Sequence, residues 1–339
     1  MKIYKAILGV GIAVCTAVFI FVAGFAVPVA TAGELTFVEN DIIYFSRSGS
    51  SLIQDTSVVN KGRILTHNTM ARKLLYVTPQ STQGTDILTG GSLMLMDLDS
   101  LEEQLVSTNV ISANLSSDGT RVVLWNVDHE IYLTDSSGVV LKRIGVYGAA
   151  PIFSHDGSLI TYLKLANVSP DGDSQSLFEH AQGIAVYDMK TSREVLVTNG
   201  GSDDFAPVGF SLSMTKLYFN STRPFAGSSQ NHVASLWVVD LESEKVERLT
   251  NTDEDMVKQG LVVPTVNENA LWSLDRKTII TSNGKEQGIW LFSLDPLGGI
   301  SEAVHIADGE SPQWLLYEKS IIFRGTSNGK SVWHIQNVR

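Results

Sequence analysis

Seven histidines, His67, His129, His155, His180, His232, His305 and His334, are the residues of this 339-residue chain best suited to metal or proton chemistry. They are scattered, with no HxH or HExxH spacing, so no local ligand set exists and most are expected in turns or on the surface. A histidine-built metal centre would require the fold to gather distant residues. Carboxylates offer a second chemistry: Asp203, Asp204, Asp253, Glu254, Asp255, Asp308 and Glu310 form three acidic clusters that would attract a basic partner or a hard cation such as calcium. Asp171-Gly172-Asp173 is only weakly calcium-like, because it lacks the spacing of a calcium loop, and no cofactor is assigned. Four tryptophans, Trp125, Trp237, Trp290 and Trp333, sit centrally in strand-like runs and read as filler between sheets. Trp272 and Trp314 remain as rings that could stand exposed at a binding surface. No Gly-x-Ser-x-Gly elbow occurs, and the single Cys15 excludes an internal disulfide or a cysteine-built zinc site, so no catalytic residue is assigned.

Composition narrows the partners. With 25 Lys+Arg against 36 Asp+Glu the net charge is −11, which argues against nucleic acid held through its phosphates. Hydrophobic residues make up 43% of the chain, enough for a substantial core. Residues 1–32 read as a leader: Lys2 and Lys5 precede an uncharged apolar run from Ala6 to Val27, and Ala30-Thr31-Ala32 supplies small residues for cleavage. The run is also close to the roughly 20 residues that span a bilayer, so an uncleaved anchor is the alternative to a signal peptide. Either way the rest of the chain is expected outside the cytoplasm, periplasmic or secreted, or tethered to the inner membrane through residues 6–27. Val14 before Cys15 argues against lipid attachment there.

The elements that would position these residues are short strands in a repeat. A block ending in an acidic or polar residue recurs at Asp55, Asp97, Asp135, Asp188, Asp240, Ser293 and Gln336, at intervals of 38 to 53 residues. Upstream of most copies lies a second β-branched and aromatic run, as in Arg121–Trp125, Leu159–Leu163 and Lys216–Phe219. Before that comes a shorter strand with a tight turn, Ser116-Ser117-Asp118-Gly119 or Ser154-His155-Asp156-Gly157, in which Asp-Gly signals a hairpin. Asp118 and Asp156 are therefore expected to form turns, not to act as acids. A polar turn then leads to a fourth strand. The unit is four antiparallel strands, A to D, and no amphipathic helix interrupts the series.

This pattern, with Phe153–Gly157, Leu236–Asp240 and Arg248-Leu249-Thr250-Asn251 as its best copies, resembles the repeat of TolB-like (WD40-like) β-propellers. The resemblance implies an all-β, seven-bladed β-propeller of four-stranded antiparallel blades over residues 33–339, with a six-bladed ring as the alternative and a hydrophobic leader helix before it. The N-terminal α/β domain of TolB itself is not expected, since the first strand, Glu34–Val38, follows the leader directly. Nor is the hydrolase half of propeller peptidases. Ser211–Met214 and Ser273–Arg276 are degenerate where Ser-x-Asp-Gly would stand, and the first and last blades are expected to meet by face packing.

In such a blade the A–B and C–D turns share one face and are short here. The B–C loops and D–A connections share the other and hold the insertions at 79–91, 167–183 and 221–233 together with the three acidic clusters. Variable loops on a rigid scaffold are where binding resides. The expected function is a non-enzymatic scaffold that binds another envelope or secreted protein, or an envelope polymer, through the long-loop face. The alternative is a propeller enzyme acting on polysaccharide, a metal-dependent lyase or hydrolase.

Overall fold

The computed structural model of the chain describes residues 34–39, 42–47, 54–55, 63–68, 71–79, 90–97, 100, 102–166, 179–223, 235–249, 271–273, 277–282, 288–295, 298–315, 320–327 and 330–338. The leader expected at 1–32 lies outside them. Every strand pairing among the described residues is antiparallel. The first sheet is β1 (Glu34–Glu39), β2 (Ile42–Arg47) and β3 (Gln54–Asp55). A seven-stranded sheet follows: β4 (Arg63–Asn68), β5 (Lys73–Pro79), β6 (Gly91–Asp97), β7 (Glu103–Leu115), β8 (Arg121–Asn126), β9 (Glu130–Asp135) and β10 (Val140–Val146). Three four-stranded sheets come next. They are β11 (Gly148–Phe153) to β14 (Arg193–Leu196) through β12 (Leu159–Leu165) and β13 (Ala181–Asp188). Then come β15 (Asp204–Phe210), β16 (Lys216–Ser221), β17 (Ser235–Asp240) and β18 (Val246–Arg248). The third is β19 (Leu271–Trp272), β20 (Thr278–Ser282), β21 (Ile289–Leu294) and β22 (Ile300–Ala307). The last sheet is β23 (Glu310–Leu315), β24 (Ser320–Ser327) and β25 (Lys330–Asn337).

The seven-stranded sheet differs from separate quartets. β7 is 13 residues long, pairs with β6 from Glu103 to Val110, and pairs with β8 from Val110 to Leu115. The D–A connection expected there stays extended, and irregular register at Gly91/Leu93 and Val110/Ser112 turns the strand without breaking it. Among the described residues both faces of the central strands β8, β12, β16 and β17 are buried, as the apolar runs require. Leu75, Val77 and Leu93 pack on Ala113, Leu115, Val122 and Leu124, so this long sheet folds against itself. Val123, Ile131 and Leu133 then meet Phe153, Ile160 and Tyr162. Leu163 and Ile184 meet Phe210, Phe219 and Trp237. Tyr218 and Leu236 meet Ile279 and Phe292, and Ile280 and Ile289 meet Ile321 and Phe323. β1 lies beside both β4 and β23 and pairs with neither, so the first sheet faces the second and the last.

One hydroxyl organises four of the A–B turns, those that follow β7, β11, β15 and β19. Ser116 Oγ accepts from Arg121 N at 2.9 Å, Ser154 Oγ from Leu159 N at 2.9 Å, Ser211 Oγ from Lys216 N at 3.2 Å and Ser273 Oγ from Thr278 N at 3.0 Å. In the first two copies the serine also donates to the turn aspartate, Ser116 to Asp118 at 2.6 Å and Ser154 to Asp156 at 2.7 Å. Asp118 and Asp156 are thus turn-formers. The degenerate copy Ser211–Met214 makes the same turn: Ser213 replaces the aspartate, bridging Ser211 and Thr215, and Met214 takes the left-handed conformation of the glycine at φ 58°. C–D turns are capped by the carboxylate ending the third strand. Asp135 accepts from Ser137 N, Asp188 from Lys190 N and Thr191 N, Asp240 from Ser243 N, and Asp295 from Gly299 N. In the sixth unit the cap is Asp295, two residues past the Ser293 that the repeat spacing marks. Backbone bonds then tie each C–D turn to the A–B turn beside it, Ser136 N to Thr120 O, Met189 N to Ser158 O, Leu241 N to Thr215 O and Leu294 N to Lys277 O.

The Ser116 hydroxyl, then the Thr120 amide, hold the Asp118 carboxyl down at about 2, against an ordinary 3.8. Its stabilisation is fully present above 3.8 and is lost as pH falls toward 2. Asp118→Asn should cost about 1 kcal/mol at pH 7, at the modest end because the group is exposed, and flatten the acid limb of urea-melt stability between those values. Met214→Gly should raise stability by about 0.5–1 kcal/mol, since a left-handed side chain is strained there. Denaturant midpoints of the two variants check both.

Candidate binding face

The B–C and D–A end of the sheets is built differently from the turn end. At Asp204, the first residue of β15, the backbone leaves a 3-10 turn at Gly201–Asp203 and enters the sheet. Its side chain is 0% exposed. Thr198 Oγ1 donates to Asp204 Oδ2 at 2.5 Å and Gly200 N donates to the same oxygen at 3.0 Å. Arg223 grips both oxygens, Nε to Oδ1 at 2.8 Å and Nη2 to Oδ2 at 2.5 Å, and lies over the rings of Phe219 and Trp237 at 5.8 and 5.9 Å. The carboxylate therefore ties the D–A connection at Thr198–Gly200 to the first residues of the B–C loop after β16. This corrects the expectation for Asp204, which is a structural anchor with no surface for a partner to touch. An isolated buried charge would be too costly, so it exists here only with its guanidinium.

Asp203 is half-buried; its carbonyl accepts from Thr222 N at 2.9 Å, and Thr222 Oγ1 reaches its carboxylate at 3.4 Å. Asp308 is exposed and lies 3.4 Å from His305 Nε2, whose ring packs edge-on to Trp290. Glu310 begins β23. Asp253, Glu254 and Asp255, the insertions at 80–89, 167–178 and 224–234, and Asp171–Asp173 lie outside the described residues. The two tryptophans expected to stand exposed do not. Trp272 donates from Nε1 to Val208 O at 3.1 Å, packs edge-on to Tyr218 at 5.0 Å, and sits where a side chain on Gly209 would have to be. Trp314 packs against the cluster of Ile280, Ile289, Ile321 and Phe323. Both are spacers between sheets, like Trp125, Trp237 and Trp290.

Sequence reading missed a further feature of this end. Trp125 Nε1, His129 Nδ1, Trp237 Nε1 and both amide atoms of Asn220 are buried without a hydrogen-bond partner. Three sit at or next to B–C connections: Trp125 and Asn220 are the penultimate residues of the second strands β8 and β16, and His129 is in the β8–β9 turn; Trp237 lies within β17, opposite Phe219. Each such group costs about 1–3 kcal/mol. The turn end satisfies its carboxylates and hydroxyls; this end carries unsatisfied polarity. Among the described residues no group of three His, Cys, Asp or Glu lies within reach of a common metal ion.

No family model matches the sequence, and no curated protein matches it. Solved structures do match. TolB from Acinetobacter baumannii aligns with 77% of this chain at 17% identity and a TM-score of 0.50, and the chain spans 61% of that protein's length. The β-propeller domain of the trilobed protease from Pyrococcus furiosus, described as having an open velcro topology, aligns with 83% of the chain and 84% of its own at 12% identity and TM-score 0.52. The chain has the β-propeller fold that these proteins share. Oligogalacturonate lyase from Vibrio parahaemolyticus shares the propeller over 91% of this chain and 87% of its own, at 13% identity and TM-score 0.57. At such identities the likeness is one of fold.

Burial lowers the basicity of His129 below the ordinary histidine value of 6.5, with the nearby Asp128 opposing the effect. The unfolded chain then takes up the proton first, so the propeller should lose stability as pH drops below 6.5, and His129→Gln should remove that loss. Thermal midpoints between pH 5 and 8 test this. Asp204→Ala, which leaves the Arg223 guanidinium buried and unpaired, should cost about 3–5 kcal/mol, read from urea denaturation.

Proposed function

We propose that this TolB-like propeller is a non-enzymatic extracytoplasmic scaffold that binds a basic protein, or a cationic stretch of an envelope polymer, through its long-loop face. The reading takes the chain as seven blades, with β7 serving as the last strand of the second and the first of the third. The carrying observation is the contrast between the two ends of the sheets. At the turn end the carboxylates of Asp118, Asp156, Asp135, Asp188, Asp240 and Asp295 are consumed by backbone amides and hydroxyls. At the other end lie the connections that carry Asp203, Asp308 and Glu310, and the buried polar groups of Trp125, His129 and Asn220 with no partner; the repeat in the sequence assigns the long insertions and Asp253–Asp255 to the same end. An acidic loop face on a rigid frame is suited to recruiting a basic partner. The extracytoplasmic setting rests on the leader at residues 1–32.

The test is a variant carrying Asp203→Asn, Asp253→Asn, Glu254→Gln, Asp255→Asn, Asp308→Asn and Glu310→Gln, with Asp204 retained because it anchors the fold. Partners drawn from envelope extract by the wild type should bind it at least tenfold more weakly, with a shallower salt dependence. An unchanged partner set removes the acidic loops from the account.

A second reading, a polysaccharide-cleaving propeller, is favoured by one observation, the fold likeness to oligogalacturonate lyase over most of both chains. Incubation of the purified protein with oligogalacturonate, with and without added divalent cations, decides it: an unsaturated uronate product makes the chain an enzyme and displaces the scaffold.

A further inference from the structure

The connection that Asp204 anchors carries the only Asn-Gly pair among the described residues, Asn199-Gly200. In this dipeptide the backbone nitrogen reaches the side-chain carboxamide with least hindrance, because glycine has no Cβ to stand in the way. Glycine is required here for another reason. A Cβ on Gly200 would meet Arg223 Nε at 2.3 Å and Asp204 Oδ1 at 2.4 Å, so the ion pair fills the space that a side chain would need. Gly201 follows in the left-handed region at φ 61°, and Asn199 itself is exposed. Packing around the buried carboxylate thus forces a glycine directly after an accessible asparagine.

The reaction open to such a pair needs only water. The Gly200 nitrogen loses its proton and attacks Cγ of Asn199, the Cγ–Nδ2 bond breaks, and ammonia leaves a five-membered succinimide joining the two residues. Water then opens one of the two imide carbonyls, giving an aspartyl or an isoaspartyl linkage at position 199. The nucleophile is the amide anion, so a group that holds the proton on Gly200 N holds back the reaction. Gly200 N donates to Asp204 Oδ2 at 3.0 Å, and the Gly200 carbonyl accepts from Asp203 N at 3.2 Å. Loss of the proton would break a hydrogen bond to a charged acceptor and set an anion against a carboxylate, both of which oppose it. The Asp204 oxygens are already engaged by Arg223 and Thr198, so the carboxylate stands as an acceptor for this amide and not as its base.

We propose that Asn199 is a self-modification site, a deamidating asparagine kept closed by the Asp204 carboxylate. While the connection is seated, the Gly200 amide keeps its proton and Asn199 persists; each local opening of Thr198–Asp204 exposes the pair to conversion. Conversion runs one way. It adds a negative charge beside Asp203 and Asp204, and the isoaspartyl product lengthens the main chain by one bond between Thr198 and Gly200, the two residues whose groups meet on Asp204 Oδ2. The guard then fits its own site less well. This inference is independent of what the loop face binds, because it rests on the atoms of the connection.

The experiment incubates the full chain at pH 8 and follows Asn199 by tryptic peptide mapping in a mass spectrometer, which reads the replacement of the amide by an acid. Two further Asn-Gly pairs, Asn283-Gly284 and Asn328-Gly329, lie outside the described residues and calibrate the intrinsic rate in concentrated urea. Without urea Asn199 should react at least tenfold more slowly than in urea. Asp204→Asn with Arg223→Gln removes the charge without orphaning the guanidinium, and should speed the reaction at Asn199 at least threefold. Asp118→Asn, which weakens the turn end of the sheets, should leave it unchanged. Near-ultraviolet circular dichroism checks that the variants are folded; where the double variant is not, amide exchange at Gly200 in the wild type decides, and should be at least tenfold slower than in an unstructured chain. The proposal is overturned if Asn199 reacts as fast in the native chain as in urea, if the folded double variant reacts at the wild-type rate, or if Asp118→Asn accelerates the reaction as much. It is also overturned if the Gly200 amide exchanges freely, or if the double variant reacts more slowly than wild type, which would make the carboxylate a base.

Discussion

A serine hydroxyl accepting the amide five residues onward is the interaction on which the middle of the propeller, from β7 to β22, is registered. It fixes where the first strand of a quartet stops and the second begins, and a two-stranded register, once fixed, decides which face every later side chain occupies. A slip of one residue would exchange Tyr218 with Phe219 and so send each ring into the wrong gap between sheets. The bond recurs at Ser116, Ser154, Ser211 and Ser273, whatever follows the serine. The Asp-Gly pair that catches the eye is a reinforcement, bringing a charged acceptor and a residue comfortable at positive φ; Ser213 and Met214 show that the turn closes without either.

Much of the fold was legible in the sequence because these determinants are local. The β-branched and aromatic runs, the Asp-Gly turns and the acid closing most third strands are all short-range signals, and the structure uses them as strands, turns and caps. What escaped was set by distant contacts. Nothing next to Asp204 in the chain announces Arg223, so an acidic pair in a loop looked like surface charge when one member is the buried end of an ion pair. Trp272 looked exposable because its strand is short, and only the partner sheet, through Val208 and Tyr218, reveals it as a spacer. Asp203 and Asp308 do lie at the end where reading placed them, since connections between quartets are as local as the turns.

The two ends of the sheets divide the work of the molecule. At one, hydrogen bonds run from turn to turn and from unit to unit, as from Ser117 to the His155 carbonyl and from Lys73 to the Gly119 carbonyl. At the other, a single buried carboxylate anchors two connections and several polar groups go unmatched. Rigidity at one end permits variation at the other, because loops can diverge only where the register does not depend on them.

The unbroken course of β7 has a mechanical meaning. At the other described connections, from β10 to β11, β14 to β15 and β22 to β23, neighbouring units touch through side chains, so they can separate by sliding apart at an apolar seam. Between the second and third units a strand would have to lose its ladder bonds on both halves at once, so those two units should melt as a single block. The repeat visible in the sequence and the cooperative piece of the folded protein are therefore of different sizes in this part of the chain.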